Sequence, residues 1–164
     1  MDVLSGPIHA QARIGHVHLR VADIERSLKF YQGILGFRPT QFWRGAVFLA
    51  AGDYHHHLAL NTWQSLGGPP PPLGSTGLFH VAILYPTLGD LGDALRRLQA
   101  ANWPLDGATD HGVSIALYVR DPDQNGVELY WDRAESEWPR DSQGMLAMGN
   151  SSVDIEWLRR QGIT

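Results

Sequence analysis

Ile14–Gly15–His16–Val17–His18–Leu19–Arg20–Val21–Ala22–Asp23–Ile24–Glu25–Arg26–Ser27–Leu28–Lys29–Phe30–Tyr31, closed by Leu35–Gly36–Phe37, is the stretch that decides the fold. From Ile14 to Val21 apolar and polar side chains alternate, the period of a half-buried strand. Asp23 then stands where a helix N-cap belongs. Ile24, Leu28, Tyr31 and Leu35 follow at helical spacing, and Gly36 ends the segment. Phe37–Trp43, Val47–Ala51 and His55–Asn61 read as three further strands, with Gly45, Gly52 and Asp53 between them.

The same order then returns. Leu78–Leu84 is a strand, Thr87 with Asp90 three residues on is a capping-box pattern, and Leu88, Leu91, Leu95 and Leu98 make an apolar helical stripe. Leu105–Thr109, Val113–Arg120 and Val127–Asp132 supply three strands, and Asp121–Pro122–Asp123–Gln124–Asn125–Gly126 has the residue types of a turn. The expectation is an α+β protein: two paired βαβββ modules, 13–63 and 78–132, whose curled sheets form a metal-containing cleft. Residues 64–77, carrying Pro69–Pro70–Pro71–Pro72 between glycines, read as a semi-rigid linker. Residues 133–164 read as a C-terminal tail in which Asp154–Arg160 forms a short docking or dimer-contact helix.

Composition narrows the function. The 164 residues are 43% hydrophobic and 18% charged, an ordinary globular balance. With no cysteine, disulfides, thiolate metal sites and cysteine nucleophiles are all excluded. A net charge of −4 argues against a nucleic-acid footprint or a polybasic membrane surface. No apolar run approaches the ~18 residues of a membrane span. Met1–Asp2–Val3–Leu4–Ser5–Gly6–Pro7 does not have the form of a secretory signal, so a cytoplasmic protein is expected.

Eight histidines stand out, three of them adjacent at His55, His56 and His57. Parity assigns faces along each strand. Val17, Leu19 and Val21 lie opposite His16, His18 and Arg20; Val81 and Ile83 lie opposite His80; Val127 and Leu129 lie opposite Glu128 and Tyr130. Tyr118 and Arg120 share the polar face of their strand, and His55, His57 and Asn61 that of theirs. A merely wet sheet face would be expected to carry Lys, Glu, Thr and Ser; these faces carry imidazoles, a carboxylate and a tyrosine. His16 precedes its helix cap by seven residues and His80 precedes its own by seven, so the two occupy equivalent places in the repeats. Two imidazoles and one carboxylate, His16, His80 and Glu128, are a facial set that leaves room on a divalent ion for substrate and O2. His18 breaks the repeat register and is the weaker candidate. Trp43, Phe48 and Trp63 either wall a pocket or simply pack. Asp53, Asp106 and Asp110 read as turn residues, and Arg20 and Arg120 as either substrate contacts or structural ion pairs.

The opening stretch resembles the first strand and helix of a vicinal oxygen chelate module, the superfamily of glyoxalases, bleomycin resistance proteins and extradiol dioxygenases. Gly77–Leu78–Phe79–His80–Val81–Ala82 resembles its second metal-histidine strand, and Asp121 through Tyr130 its metal-glutamate strand. Asp110–His111–Gly112–Val113–Ser114 with Ala116–Leu117–Tyr118, and Asn125 through Arg133 followed by Trp138–Pro139, are similar to small catechol-2,3-dioxygenase-like proteins. The resemblance implies Fe(II), with Mn(II) as the alternative ion, held by His16, His80 and Glu128. It implies a small catechol-like aromatic substrate cleaved with O2, a role in aromatic compound degradation, and no nucleic-acid or membrane partner; it leaves room for a homodimer. It gives His111 and Tyr118 substrate-orienting roles and places an acid–base histidine in the run 55–57, where parity favours His57. A glyoxalase-like lyase or isomerase, a metal-free drug-binding protein and a fosfomycin thiol transferase are the alternatives on the same fold. The sequence departs from the family in having Gln124–Asn125 where the turn more usually carries a glycine.

Overall fold

Each repeat folds as its pattern requires in the computed structural model, which describes residues 6–162. The first five residues of the stretch read against a leader lie outside the described residues, as do the last two of the tail. In the first module β1 (Val17–Arg20) leads into α1 (Ile24–Leu28), and β2 (Arg38–Trp43), β3 (Ala46–Ala50) and β4 (Leu58–Asn61) follow. The Asp23 carboxylate accepts from the Arg26 N–H at 3.0 Å and caps α1. The helix then widens into a π-turn over Lys29–Ile34, whose consecutive rings Phe30 and Tyr31 are both fully buried. Gly36, at φ +85°, reverses the chain.

The second module repeats this with β5 (Val81–Leu84), α2 (Leu88–Ala100), β6 (Gly107–Asp110), β7 (Ser114–Arg120) and β8 (Gly126–Asp132). Thr87 caps α2 by accepting from the Asp90 N–H. The sheets run β1-β4-β3-β2 and β5-β8-β7-β6-β9, where β9 is Ser151–Ser152 in the tail. β1 pairs parallel with β4 and β5 parallel with β8, because a helical crossover separates the first strand of each module from its partner. One face of each sheet packs on a helix, and the two packed layers form one continuous core through Leu19, Leu60, Phe30, Leu95, Leu117 and Leu129.

The modules lock together at the turn between β7 and β8. Asp121, 1% exposed, accepts from the Tyr31 hydroxyl at 2.9 Å, from the Asp123 N–H at 2.8 Å and from the Asn125 N–H at 2.9 Å. Asp123 accepts from the Ala22 N–H at 3.1 Å and pairs with Arg26. Gln124 adopts φ +68°, a conformation that suits glycine. The turn tolerates this because hydrogen bonds on both sides of Gln124 over-determine its shape.

The tail does more than the sequence suggests. β9 adds a fifth strand beside β6, and α3 (Ile155–Gln161) lies against α2 with Leu158 fully buried. Gly92 makes that approach possible, since a Cβ there would stand 2.5 Å from the Gly162 nitrogen and 2.7 Å from the Leu158 carbonyl oxygen. Among the described residues no helix is long and apolar enough to cross a membrane.

Candidate metal centre

Glu128 projects from the unpacked face of the second sheet, its neighbours Val127 and Leu129 being fully buried on the other. Pairing of β7 with β8 puts Tyr118 directly opposite it. His80 sits just before β5, beside Gly126. The result is a chain of contacts. Glu128 Oε2 lies 2.9 Å from His80 Nε2, and the Tyr118 hydroxyl stands 3.1 Å from Glu128 Oε1. His111 Nε2 lies 2.8 Å from the Tyr118 oxygen. Burial, and next the negative charge of Glu128, push the Tyr118 phenol up to about 12. A cavity of about 380 Å3 opens beside this row, lined by Phe79, His80, Thr109, Tyr118 and Arg120. Arg120 itself is tied to Asp106 at 2.9 Å, and Asp110 to Arg133 at 2.6 Å. Both aspartates are therefore structural ion-pair partners.

Gly126 is what brings β5 and β8 so close here. A Cβ on it would lie 2.2 Å from the Phe79 carbonyl oxygen and 3.1 Å from His80 Cβ. Gly126→Ala is therefore expected to cost about 1–3 kcal/mol, the range for overpacking, and to part His80 from Glu128. Thermal melts and Fe(II) titration check both effects.

The unpacked side of the first sheet carries the other imidazoles. The His16 and His56 rings lie 4.5 Å apart, tilted by 55°, and His56 meets Phe48 edge-on at 5.1 Å. His18 lies against Trp63 at 5.5 Å and bonds the Asn61 amide at 2.9 Å. Burial first, then the facing His16, lowers both His18 and His56; His55, His18 and His57 add to the effect on His56. Trp43 and Trp63, 66% and 57% exposed, flank this group.

Parity carried back from Leu58 puts His57 on this face, but β4 begins at Leu58 and the three histidines precede it in a loop. There the alternation lapses. His56 is the residue that reaches His16, while the His57 ring lies 4.7 Å from that of Tyr54, tilted by 43°, and its Nδ1 accepts from the Ala51 N–H at 3.3 Å.

His80 and Glu128 are thus brought together, whereas His16 stands with His56 on the other sheet. Among the described residues no three of His, Asp and Glu are gathered closely enough to hold one ion, so the cleft expected from the sequence is not closed around the full donor set. The pair itself fits an ion. Two ligands each about 2.1 Å from a metal and at right angles are about 3 Å apart, which matches the His80–Glu128 spacing of 2.9 Å. His80 Nδ1 is buried without a partner, so no donor on that side obliges it to stay unprotonated, and only the contact with Glu128 itself calls for a proton on Nε2.

Comparison with known proteins bears on this arrangement. Residues 13–129 match the family model described as Glyoxalase/Bleomycin resistance protein/Dioxygenase superfamily. The catechol-2,3-dioxygenase of Bacillus subtilis (strain 168) is 40% identical over 151 residues, 92% of this chain and 52% of the Bacillus protein. The biphenyl-2,3-diol 1,2-dioxygenase 3 of Rhodococcus globerulus is 33% identical over 120 residues, 73% of this chain and 63% of that protein. The chain therefore spans between half and two-thirds of the length of these relatives. A glyoxalase/dioxygenase from Nostoc punctiforme shares the fold at a TM-score of 0.65 and 18% identity, over 82% of this chain and 99% of that one.

Proposed function

This chain belongs to the glyoxalase/bleomycin resistance protein/dioxygenase superfamily, and we propose that within it the protein is an extradiol ring-cleaving dioxygenase for a catechol-like aromatic. The observation that carries this reading is the row His80–Glu128–Tyr118–His111 on one open sheet face, in a chain 40% identical to a catechol-2,3-dioxygenase. β4, Leu58–Asn61, offers no carboxylate as a further donor, which weighs against the lyase reading.

His80, Glu128 and His16 are the residues that would hold Fe(II), or Mn(II). Such an ion would supply one positively charged centre for the diol and O2 and for the negative charge that develops on them. The remaining roles belong to the chain. Tyr118, whose phenol stays protonated at neutral pH, presents its hydroxyl oxygen as an acceptor to the hydroxyls of the diol, and His111 orients it from behind. The acid–base role falls to His56, supported by its contact with His16 and by a lowered pKa that leaves the ring neutral and ready to accept a proton. Trp43, Phe48 and Trp63 offer aromatic surface to the substrate ring. Joining His16 to the other two donors requires the open face of the first sheet to meet that of the second. A homodimer in which the faces of two copies cross supplies this.

The test is to load the purified protein with Fe(II) under anaerobic conditions, measure its mass by light scattering, and add substituted catechols and O2. Expected are a dimer, oxygen uptake and a yellow ring-opened product. Stoichiometric iron without oxygen uptake on any catechol would overturn the dioxygenase reading, and an active monomer would overturn the crossed dimer.

A further inference from the structure

His111 is gripped from two sides, and the side away from Tyr118 is the tail. Its Nδ1 lies 3.0 Å from the Gly149 carbonyl oxygen, while the Gly149 N–H donates to the His111 carbonyl at 3.1 Å. A carbonyl oxygen only accepts, so the first bond needs a proton on Nδ1. On the neutral ring Nε2 is then bare and only accepts. The atom facing it, at 2.8 Å, is the Tyr118 oxygen, which has a single proton to give. The same hydroxyl stands 3.1 Å from Glu128 Oε1, which when ionised also only accepts. One phenolic proton faces two acceptors, and the nearer is an acceptor because of Gly149. With the proton on Nε2 instead, two acceptors, Nδ1 and the Gly149 oxygen, would face each other at 3.0 Å, and the phenolic proton would be left to Glu128.

The strap that presents Gly149 is built to stay in place. Ser151 and Ser152 pair with Asp110 and Thr109 on β6. The Ala147 N–H donates to the Pro139 carbonyl at 2.9 Å. Pro139 packs over Gly112, where a Cβ would stand 2.9 Å from its Cγ. Beyond β9 the buried Leu158 of α3 anchors the far end on α2.

We infer that the C-terminal strap, residues 139–152, is a positioning element of the site. The Gly149 carbonyl fixes His111 as its Nδ1–H tautomer and so draws the Tyr118 proton away from Glu128, leaving Oε1, beside the Oε2 that faces His80, free to accept a cation. The tautomer stands on the hydrogen bonds alone, whereas its consequence for Glu128 rests on the ion-binding reading above.

The experiment is nitrogen NMR of the metal-free, histidine-labelled chain at mildly alkaline pH, where imidazoles are neutral. His111 is expected to carry its proton on Nδ1 with Nε2 bare. In Gly149→Pro, which lacks the N–H donated to His111, the ring is expected to shift toward Nε2–H. A second form, cleaved after folding at a protease site engineered into the exposed 141–145 turn, loosens the strap without touching Gly149 and should shift the same way. Fe(II) affinity, read by chelator competition, is expected to fall about tenfold in both, as for the loss of other groups that orient a ligand. A His111 ring protonated on Nε2 in the unaltered protein, or one indifferent to both changes, overturns the tautomer assignment. A shifted tautomer with unchanged Fe(II) affinity overturns the link to Glu128. Unaltered protein that shows the Nδ1–H ring but binds no Fe(II) refutes the ion reading while upholding the strap's hold on His111.

Discussion

Glu128→Ala is expected to remove stoichiometric Fe(II) and to lower catechol-dependent oxygen uptake on the order of 10³-fold, since a cation supplies several kcal/mol of charge stabilisation. The loss should be chemical and not structural. Val127 and Leu129 keep β8 in the core, and the partners that Glu128 leaves behind, His80 and Tyr118, are only partly buried and can turn to water. The melting temperature should therefore stay close to that of the unaltered protein. Glu128→Gln, which keeps the shape and one carbonyl acceptor but loses the negative charge, separates the two contributions. Full iron and full turnover in the glutamine variant would sink the ligand assignment.

The second large effect is on folding. Asp121→Ala is expected to cost about 3–5 kcal/mol, because it strips several donors of one buried acceptor at once. The Tyr31 hydroxyl, in a fully buried side chain, would lose its partner, and so would the backbone N–H groups of Asp123 and Asn125. Burial raises the Asp121 carboxyl, and the hydrogen bonds from Asn125, Tyr31 and Asp123 pull it back down, so the side chain is an acceptor held at some expense for what it organises. Urea denaturation measures the cost. A loss below about 1 kcal/mol would mean that the modules are joined by the shared apolar core and not by this clamp.

The fold was legible because its signals are local and repeated. Asp23 and Thr87 cap the helices expected of them, the apolar stripe of α2 packs where its spacing puts it, and parity separates Val127 and Leu129 from Glu128. The pairing of Tyr118 with Glu128 and of Glu128 with His80 follows from strand order, which two βαβββ repeats already imply. What stayed hidden depends on atoms without a sequence signature. Parity favours His57 over His56, but it extends an alternation into residues that precede β4, and there the ring that lies against His16 is that of His56. Gly149 reaches His111 through a carbonyl, which every residue carries, from a strap whose side chains face solvent from 140 to 152. The two-residue strand β9 has no period to detect. The distance between His16 and the other two donors depends on how whole sheets meet, which no local pattern encodes.

The turn at Asp121–Gly126 ties two requirements to one stretch of chain. Asp121 and Asp123 hold Tyr31 and Ala22 of the other module, and two residues past Gly126 the backbone delivers Glu128. A single inserted residue after Asp123 would reverse every side chain of β8, sending Glu128 into the layer beneath α2 and Leu129 into the open. Lineages descending from this chain should therefore gain and lose length elsewhere, in the proline-bearing connector 64–77 or the 141–145 loop. A library built to re-tailor the protein should leave the register of these six positions untouched and vary only their chemistry.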